Sequence, residues 1–232
     1  MSLIHKINRF LSKTVPWIAH KHTSYSQCGE DLIIKFLFKN YLNIEKPSYI
    51  DIGAHLPFRY SNTAIFYGSG SRGINIEPDP FLFGKIQKYR KKDINLNIGI
   101  ADKQGVLDFY VINNRTLNTF SEKEAKSYEK QGYRIKEIKQ IKVETLGYVI
   151  QRYSNNIFPD FLSVDAEGID EMILKSIDYS LNYPKVICVE TLDFSTQVHR
   201  TEICDLLESK GYIKYANTHI NSIMVRKEFL SL

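Results

Sequence analysis

Tyr49-Ile50-Asp51-Ile52-Gly53-Ala54-His55 reads as a buried strand that ends in an acid and a glycine. A second strand-like run finishes on Glu77, and a third, Phe161-Leu162-Ser163-Val164-Asp165, finishes on another acid. Parallel strands that each end in a carboxylate set those carboxylates along one edge of a sheet. Open α/β sheets bind nucleotide-like ligands at that edge.

Working outward, strand and helix signals alternate from residue 47 onward. Strands are predicted at 48–53, 72–77, 94–100, 160–165 and 185–191. Helices are predicted at 61–68, from Pro78-Asp79-Pro80 to about Tyr89, and at 145–153, 168–177 and 199–210. Ser61 and Asn62 are good helix caps, proline is favoured in a first turn, and Gly211 closes the last helix. This alternation demands a parallel sheet with helices on both faces. Tyr212–Tyr215 and Ser222–Val225 read as a hairpin that adds an antiparallel strand to one edge. The stretch 105–143 breaks the rhythm. Val106–Ile112 and Ile135–Val143 look like strands of an inserted β arm with a charged, mobile piece between them. Functional variation collects in such connections, so the arm is a candidate for substrate contact.

The chain of 232 residues is long enough for one packed α/β domain and short for two. That domain is expected over 25–232, after a distinct segment 1–24. Four of the five net positive charges lie in 1–24, as Lys6, Arg9, Lys13 and Lys21, with no acid among them. The remainder is near neutral, so a nucleic-acid surface is not indicated. Leu3, Ile4, Ile7, Phe10, Leu11, Trp17 and Ile18 make the basic segment amphipathic. It suits an anionic membrane surface, or packing on the domain or on a second subunit of a homo-oligomer. It lacks the features of a signal peptide, and no stretch is long enough to span a bilayer. Cys28, Cys188 and Cys204 are odd in number and widely spaced, which argues for a reducing, cytoplasmic compartment and against a disulfide framework or zinc site.

The chemistry is concentrated after the strand ends. Gly53 permits a tight turn and close approach of a ligand to the backbone. A dinucleotide fingerprint needs two further glycines and a helix that begins at once. Here His55 and Phe58 occupy the loop, and Leu56–Tyr60 delays the helix. The site therefore suits a nucleoside ligand without phosphates, of which S-adenosylmethionine is the commonest. Glu77 lies 24 residues past Gly53 and is placed, with Pro78 after it, to accept hydrogen bonds from both ribose hydroxyls. The alternative role for Glu77 is an acid favoured at a helix start. Asn97 and Ile98 end the third strand, beside the expected adenine. Ser61 and Asn62 open a helix whose free amides attract a carboxylate, and they also serve as plain caps. Asp165 is expected next to the methyl-bearing end of the cofactor, and Glu167 toward the acceptor. Two carboxylates two residues apart can hold a divalent cation, but no third ligand is evident, so a metal is not favoured.

Five segments occur in order: Ser26-Gln27-Cys28-Gly29-Glu30-Asp31, Tyr49–His55, Pro57–Thr63, Gly73-Ile74-Asn75-Ile76-Glu77-Pro78 and Phe161–Gly168. As a set they resemble the FkbM-type family of S-adenosylmethionine-dependent methyltransferases, over about residues 24–226. The resemblance implies the class I, Rossmann-like methyltransferase fold, a mostly parallel seven-stranded sheet. It implies methyl transfer to oxygen, often on sugars in glycan, capsule or natural-product pathways. It also implies that Gln27 and Glu30 help close the cofactor pocket, and it departs from the usual glycine-rich loop in keeping Gly53 alone. The expected acceptor is a nucleotide-activated sugar or a glycan. A base should accelerate transfer to a weakly acidic hydroxyl by roughly 10²–10⁴-fold, and Glu167, Asp165, His55, His199 and His219 are the candidates. The competing expectations are a methyltransferase for another small molecule, a cofactor-binding scaffold without catalysis, and a nicotinamide enzyme, which the missing glycines disfavour.

Overall fold

The computed structural model describes residues 21–166, 168–193 and 197–230. Twelve strands are described: β1 (Tyr49–Ile52), β2 (Gly73–Ile76), β3 (Ile94–Leu96), β4 (Gly99–Ile100), β5 (Gly105–Ile112), β6 (Ile135–Glu144), β7 (Phe161–Val164), β8 (Val186–Glu190), β9 (Leu192–Asp193), β10 (Val198–His199), β11 (Tyr212–Asn217) and β12 (Asn221–Arg226). Seven of them form one sheet in the order β11-β12-β8-β7-β1-β2-β3. β1 runs parallel to β2 and β7, β2 to β3, and β7 to β8. Every residue of β1, β7 and β8 is buried. Strands covered on both faces need apolar side chains on both, which is why these segments read as near-continuous apolar runs.

The C-terminal hairpin is present and extends one edge of the sheet with antiparallel pairing, as expected. Its return strand β12 lies inside, antiparallel to both β8 and β11, and β11 forms the edge. The side chains explain the order. Asn221–Val225 are all buried, whereas β11 is largely half-buried or exposed. An edge strand has to tolerate water on its open side.

The described helices are α1 (Glu30–Asn40), α2 (Ala64–Gly68), α3 (Pro80–Tyr89), α4 (Glu122–Lys130), α5 (Leu146–Tyr153), α6 (Asp170–Lys175) and α7 (Thr201–Ser209). On one face, Ile34, Leu37 and Phe38 of α1 and Ile65 and Phe66 of α2 pack on Tyr49, Phe161, Val186 and Ile223. On the other, Leu146, Val149 and Ile150 of α5, Ile173 and Leu174 of α6 and Ile203 and Leu207 of α7 pack on Ile50, Leu162, Ile187 and Met224. This is the class I, Rossmann-like methyltransferase architecture. None of the described helices is long and apolar enough to cross a membrane.

Several elements differ from the sequence expectation. The helix expected at 61–68 begins at Ala64, with Thr63 as its cap. The strand expected over 94–100 is two strands, β3 and β4, which join different sheets. The break falls where the Asn97 side chain donates to the carbonyls of Glu77 and Pro78, at 2.8 and 3.0 Å. The helix α1 was not anticipated, although Ile34, Leu37 and Phe38 recur at helical spacing behind the first-turn acids Glu30 and Asp31. The inserted arm is confirmed as the antiparallel pair β5–β6, with β4 alongside β6. The piece between its strands is an ordered 3₁₀ turn, Arg115–Leu117, followed by α4, and is not a loose linker. Ser121 caps α4 by accepting from the Glu124 amide, and Ala125 and Tyr128 are buried against Tyr110 and Ile112.

A buried polar cluster lies by the first residues of β1 and β2. The fully buried Arg90 forms an ion pair with Asp93 at 2.9 Å and donates to the Tyr49 hydroxyl at 2.7 Å and the Thr63 hydroxyl at 2.8 Å. Thr63 in turn donates to Asp51 at 2.5 Å.

Candidate active site

A cleft opens beyond the C-terminal ends of β1, β2 and β7. Its floor and walls include Gln27, Ile52, Gly53, His55, Glu77, Pro78 and Asp165. These seven residues come from four stretches of chain, and the parallel sheet brings three of those stretches to one edge. The turn after β1 makes the approach close. Gly53 has φ +78°, and a Cβ there would stand 1.8 Å from the Asp165 carbonyl oxygen. The backbone amides of Gly53 and Ala54 both donate to the Ile76 carbonyl, at 3.0 and 3.1 Å, and that of Asp165 donates to the Ile52 carbonyl at 3.0 Å. Three strand ends are thereby locked together. His55 and Tyr60 also take positive φ, 49° and 58°. Such conformations in non-glycine residues cluster at functional sites.

Glu77 is the anchor of the cleft. It is 4% exposed, and one carboxylate oxygen accepts from the His55 amide while the other accepts from the Asp79 amide, both at 2.8 Å. Each oxygen keeps a lone pair for a ligand. Burial pushes its pKa up to about 8, the two backbone amides hold it down, and the charges of Asp79 and Asp51 push it up again. Asp165 has one carboxylate oxygen buried without a partner among the described residues. Burial, then the charges of Asp170 and Asp51, raise its pKa to about 7, against the opposing pull of Arg200. Both ring nitrogens of His55 are likewise buried and unpartnered among the described residues. Burial lowers its pKa to about 4, so the ring is neutral at physiological pH. Among the described residues no group of His, Cys, Asp and Glu could hold a metal ion.

Other candidate residues stand outside the cleft lining. Asp51 is buried on Thr63, and burial raises its pKa against the opposing charge of Arg90. Ser61 accepts from the Ala64 amide at 3.2 Å as part of the helix start. Asn62 reaches across the sheet to donate to the Ser163 hydroxyl at 3.2 Å. Glu30 accepts from the Cys28 amide, Thr218 and Asn221, and so clamps the segment that carries Gln27 to the C-terminal hairpin. Asn97 ties down the chain after Glu77, and Ile98 packs at the margin of the core. His199 sits 3.2 Å from the Thr191 hydroxyl, and His219 is exposed. Glu167 and most of the basic segment, residues 1–20, lie outside the described residues.

Sequence reasoning marked the inserted arm for substrate contact but named none of the arm residues that line the cleft. Phe109, Arg115, Thr116, Asn118 and Phe120, all from the inserted arm, line the cleft together with Leu82, Gly99 and Ile100. Gly99 has a packing reason to be glycine, because a Cβ would meet the Phe120 ring at 2.5 Å. The one readable signal was the Ser121-x-x-Glu124 pattern, which marks a helix start in the arm.

The sequence matches the methyltransferase FkbM domain over residues 51–214. No curated protein matches the chain. Among solved structures, the methyltransferase FkbM from Methylobacillus flagellatus KT aligns with 13% identity and a TM-score of 0.44, over 77% of this chain and 43% of that one. A putative caffeoyl-CoA O-methyltransferase from Staphylococcus aureus aligns with 9% identity and a TM-score of 0.48, over 94% and 91% of the two chains. The Burkholderia thailandensis 1,6-didemethyltoxoflavin-N1-methyltransferase, solved with bound 1,6-didemethyltoxoflavin and S-adenosylhomocysteine, aligns with 10% identity and a TM-score of 0.42, over 95% and 84%.

Proposed function

From the premise that this chain belongs to the methyltransferase FkbM domain family, we propose that it methylates a hydroxyl of a sugar. The acceptor is a nucleotide-activated sugar or a glycan of capsule or surface-polysaccharide biosynthesis. The family makes the chain an S-adenosylmethionine-dependent methyltransferase; the sugar acceptor is our reading. The observation that carries it is the pairing, in one cleft, of an anchored Glu77 with a partnerless Asp165 oxygen.

The residues present fit the cofactor. Glu77 offers two fixed oxygens to the vicinal ribose hydroxyls, and Gly53 leaves room that any side chain would fill. Gln27 and the apolar side chains of Ile52, Leu82 and Ile100 complete the lining around them. S-adenosylmethionine supplies an activated methyl group on a sulfonium centre. The protein's contribution is to hold the acceptor hydroxyl in line and to take its proton. Asp165 has a proton affinity near working pH, which suits it to that transfer, and Glu167 follows two residues later in the sequence. The neutral His55 ring fits a hydrogen-bonding role toward the acceptor better than that of a strong base. The surplus of carboxylates favours a neutral polyhydroxyl acceptor that donates hydrogen bonds, and disfavours an anionic group in direct contact. The basic segment 1–24, with its interleaved apolar residues, supports peripheral attachment to an anionic membrane surface on the cytoplasmic side.

A panel of nucleotide-activated sugars incubated with methyl-labelled cofactor tests the proposal. Label transfer to a sugar, lost in Asp165→Asn, is the expected result. Transfer only to non-sugar acceptors would reassign the substrate, and cofactor binding without transfer to any acceptor class would favour a scaffold.

A further inference from the structure

The inserted arm reaches the cleft at one charged residue that the proposed function leaves unused. Arg115 begins the 3₁₀ turn of the arm, lines the cleft, and pairs with Asp79. Asp79 is 1% exposed and joins three elements. One of its oxygens caps α3 by accepting from the Phe81 amide at 2.8 Å. The other accepts from Arg115 and, at 2.9 Å, from the Asn118 side chain. Its own amide donates to Glu77. The Arg115 guanidinium also lies 4.5 Å over the Phe81 ring, which fixes its plane. Only one guanidinium nitrogen is used by Asp79, and among the described residues the others have no hydrogen-bond acceptor.

We propose that Arg115 is a cofactor-site residue carried by the insertion. In this role it donates to acceptor atoms on the ribose or purine of the nucleoside and neutralises Asp79 beside Glu77. The assignment rests on the adenosyl reading of the cleft. Arginine is suited to this place because it donates in a fixed fork and cannot lose its charge. It makes the β arm a wall of the nucleoside pocket, in addition to any acceptor contact made elsewhere along the arm. The second half of the proposal concerns Glu77. The charges that act on Glu77 are Asp79, the cap of α3, and Asp51 on β1; Asp165, Arg115 and the neutral His55 line the same cleft, and Lys85 on α3 acts on His55. Arg115 is the cation paired with Asp79, and Asp79 is the neighbouring charge that most raises the proton affinity of Glu77.

The test is titration calorimetry of the full chain across pH 6 to 9, with S-adenosylhomocysteine and with 5′-methylthioadenosine, which lacks the amino-acid end. Arg115→Ala is expected to weaken both ligands by a similar factor, roughly ten- to hundredfold. It is also expected to move the pH midpoint of binding upward, because Asp79 is left unneutralised. Arg115→Lys should keep the parental midpoint with part of the affinity. Asp79→Asn should move the midpoint downward, and this arm remains decisive if Arg115→Ala does not fold. Parental affinity and midpoint in Arg115→Ala would overturn the assignment, as would a loss confined to S-adenosylhomocysteine. Failure of the parent protein to bind either nucleoside would overturn the proposed function itself, and this assignment with it.

Discussion

In its proposed role, Glu77 is expected to set opposite pH trends for binding and for folding. Its pKa rises from 4.5 to about 8 on folding. Between those values the folded chain holds a proton that the unfolded chain has released, so stability falls as pH rises through the window. The slope is at most about 1.4 kcal/mol per pH unit for one group. Binding is expected to run the other way, because in the proposed role the ionised carboxylate accepts from ribose hydroxyls. Thermal unfolding of the ligand-free protein is expected to show a melting temperature that declines from pH 5 to pH 8, with a shallower decline in Glu77→Gln. S-adenosylhomocysteine affinity is expected to rise over pH 6.5–8.5 in the parent and to stay low and flat in that variant. Gly53→Ala is a second residue-scale case. The added Cβ meets the Asp165 carbonyl at 1.8 Å in a backbone conformation with φ +78°. Both the clash and the strain are intolerable without moving β7, so loss of cofactor binding and a cost of a few kcal/mol are expected in chemical denaturation.

At the scale of elements, what could be read from the chain and what could not divide on a physical line. β1, β2, β7 and β8 were legible because central parallel strands are apolar on both faces and end abruptly in polar residues. α3 was legible because Asp79 caps it and Pro80 occupies its first turn. Glu77 and Asp165 were legible as strand-terminal acids. The roles of Asp51, Asn62 and Asn97 were not, because which face of the sheet a side chain serves depends on partners such as Thr63 and Ser163 that are distant in sequence. The arm was read as strands with a loose link because α4, Glu-Lys-Glu-Ala-Lys-Ser-Tyr-Glu-Lys, shows few apolar residues. Only Ala125 and Tyr128 are buried there, and the cap at Ser121 supplies much of the local order. Ser121→Ala is expected to destabilise α4 by about 1 kcal/mol. Amide exchange should then quicken in 122–130 and stay unchanged in β1 and β7, since the helix lies outside the main sheet. The Arg90–Asp93 pair predicts a larger effect. Asp93→Ala strands a fully buried guanidinium and should cost about 3–5 kcal/mol in a denaturant titration.

For the whole molecule, the topology places the ends of β1, β2 and β7 side by side, and the inserted arm folds over the opening they make. Gly53, Glu77 and Asp165, from the ends of those three strands, line one cleft. The central claim is that this cleft binds an adenosyl ligand through Glu77. Titration calorimetry with S-adenosylhomocysteine and, separately, NADH tests it most directly, on the parent protein and on Glu77→Ala. One-to-one binding of S-adenosylhomocysteine by the parent, and loss of that binding in the variant, are expected. No binding of NADH, and about 2.7 kcal/mol of stabilisation at a hundredfold excess of S-adenosylhomocysteine over its dissociation constant, are expected as well. Absence of S-adenosylhomocysteine binding by the parent, or equal affinity in Glu77→Ala, would contradict the claim.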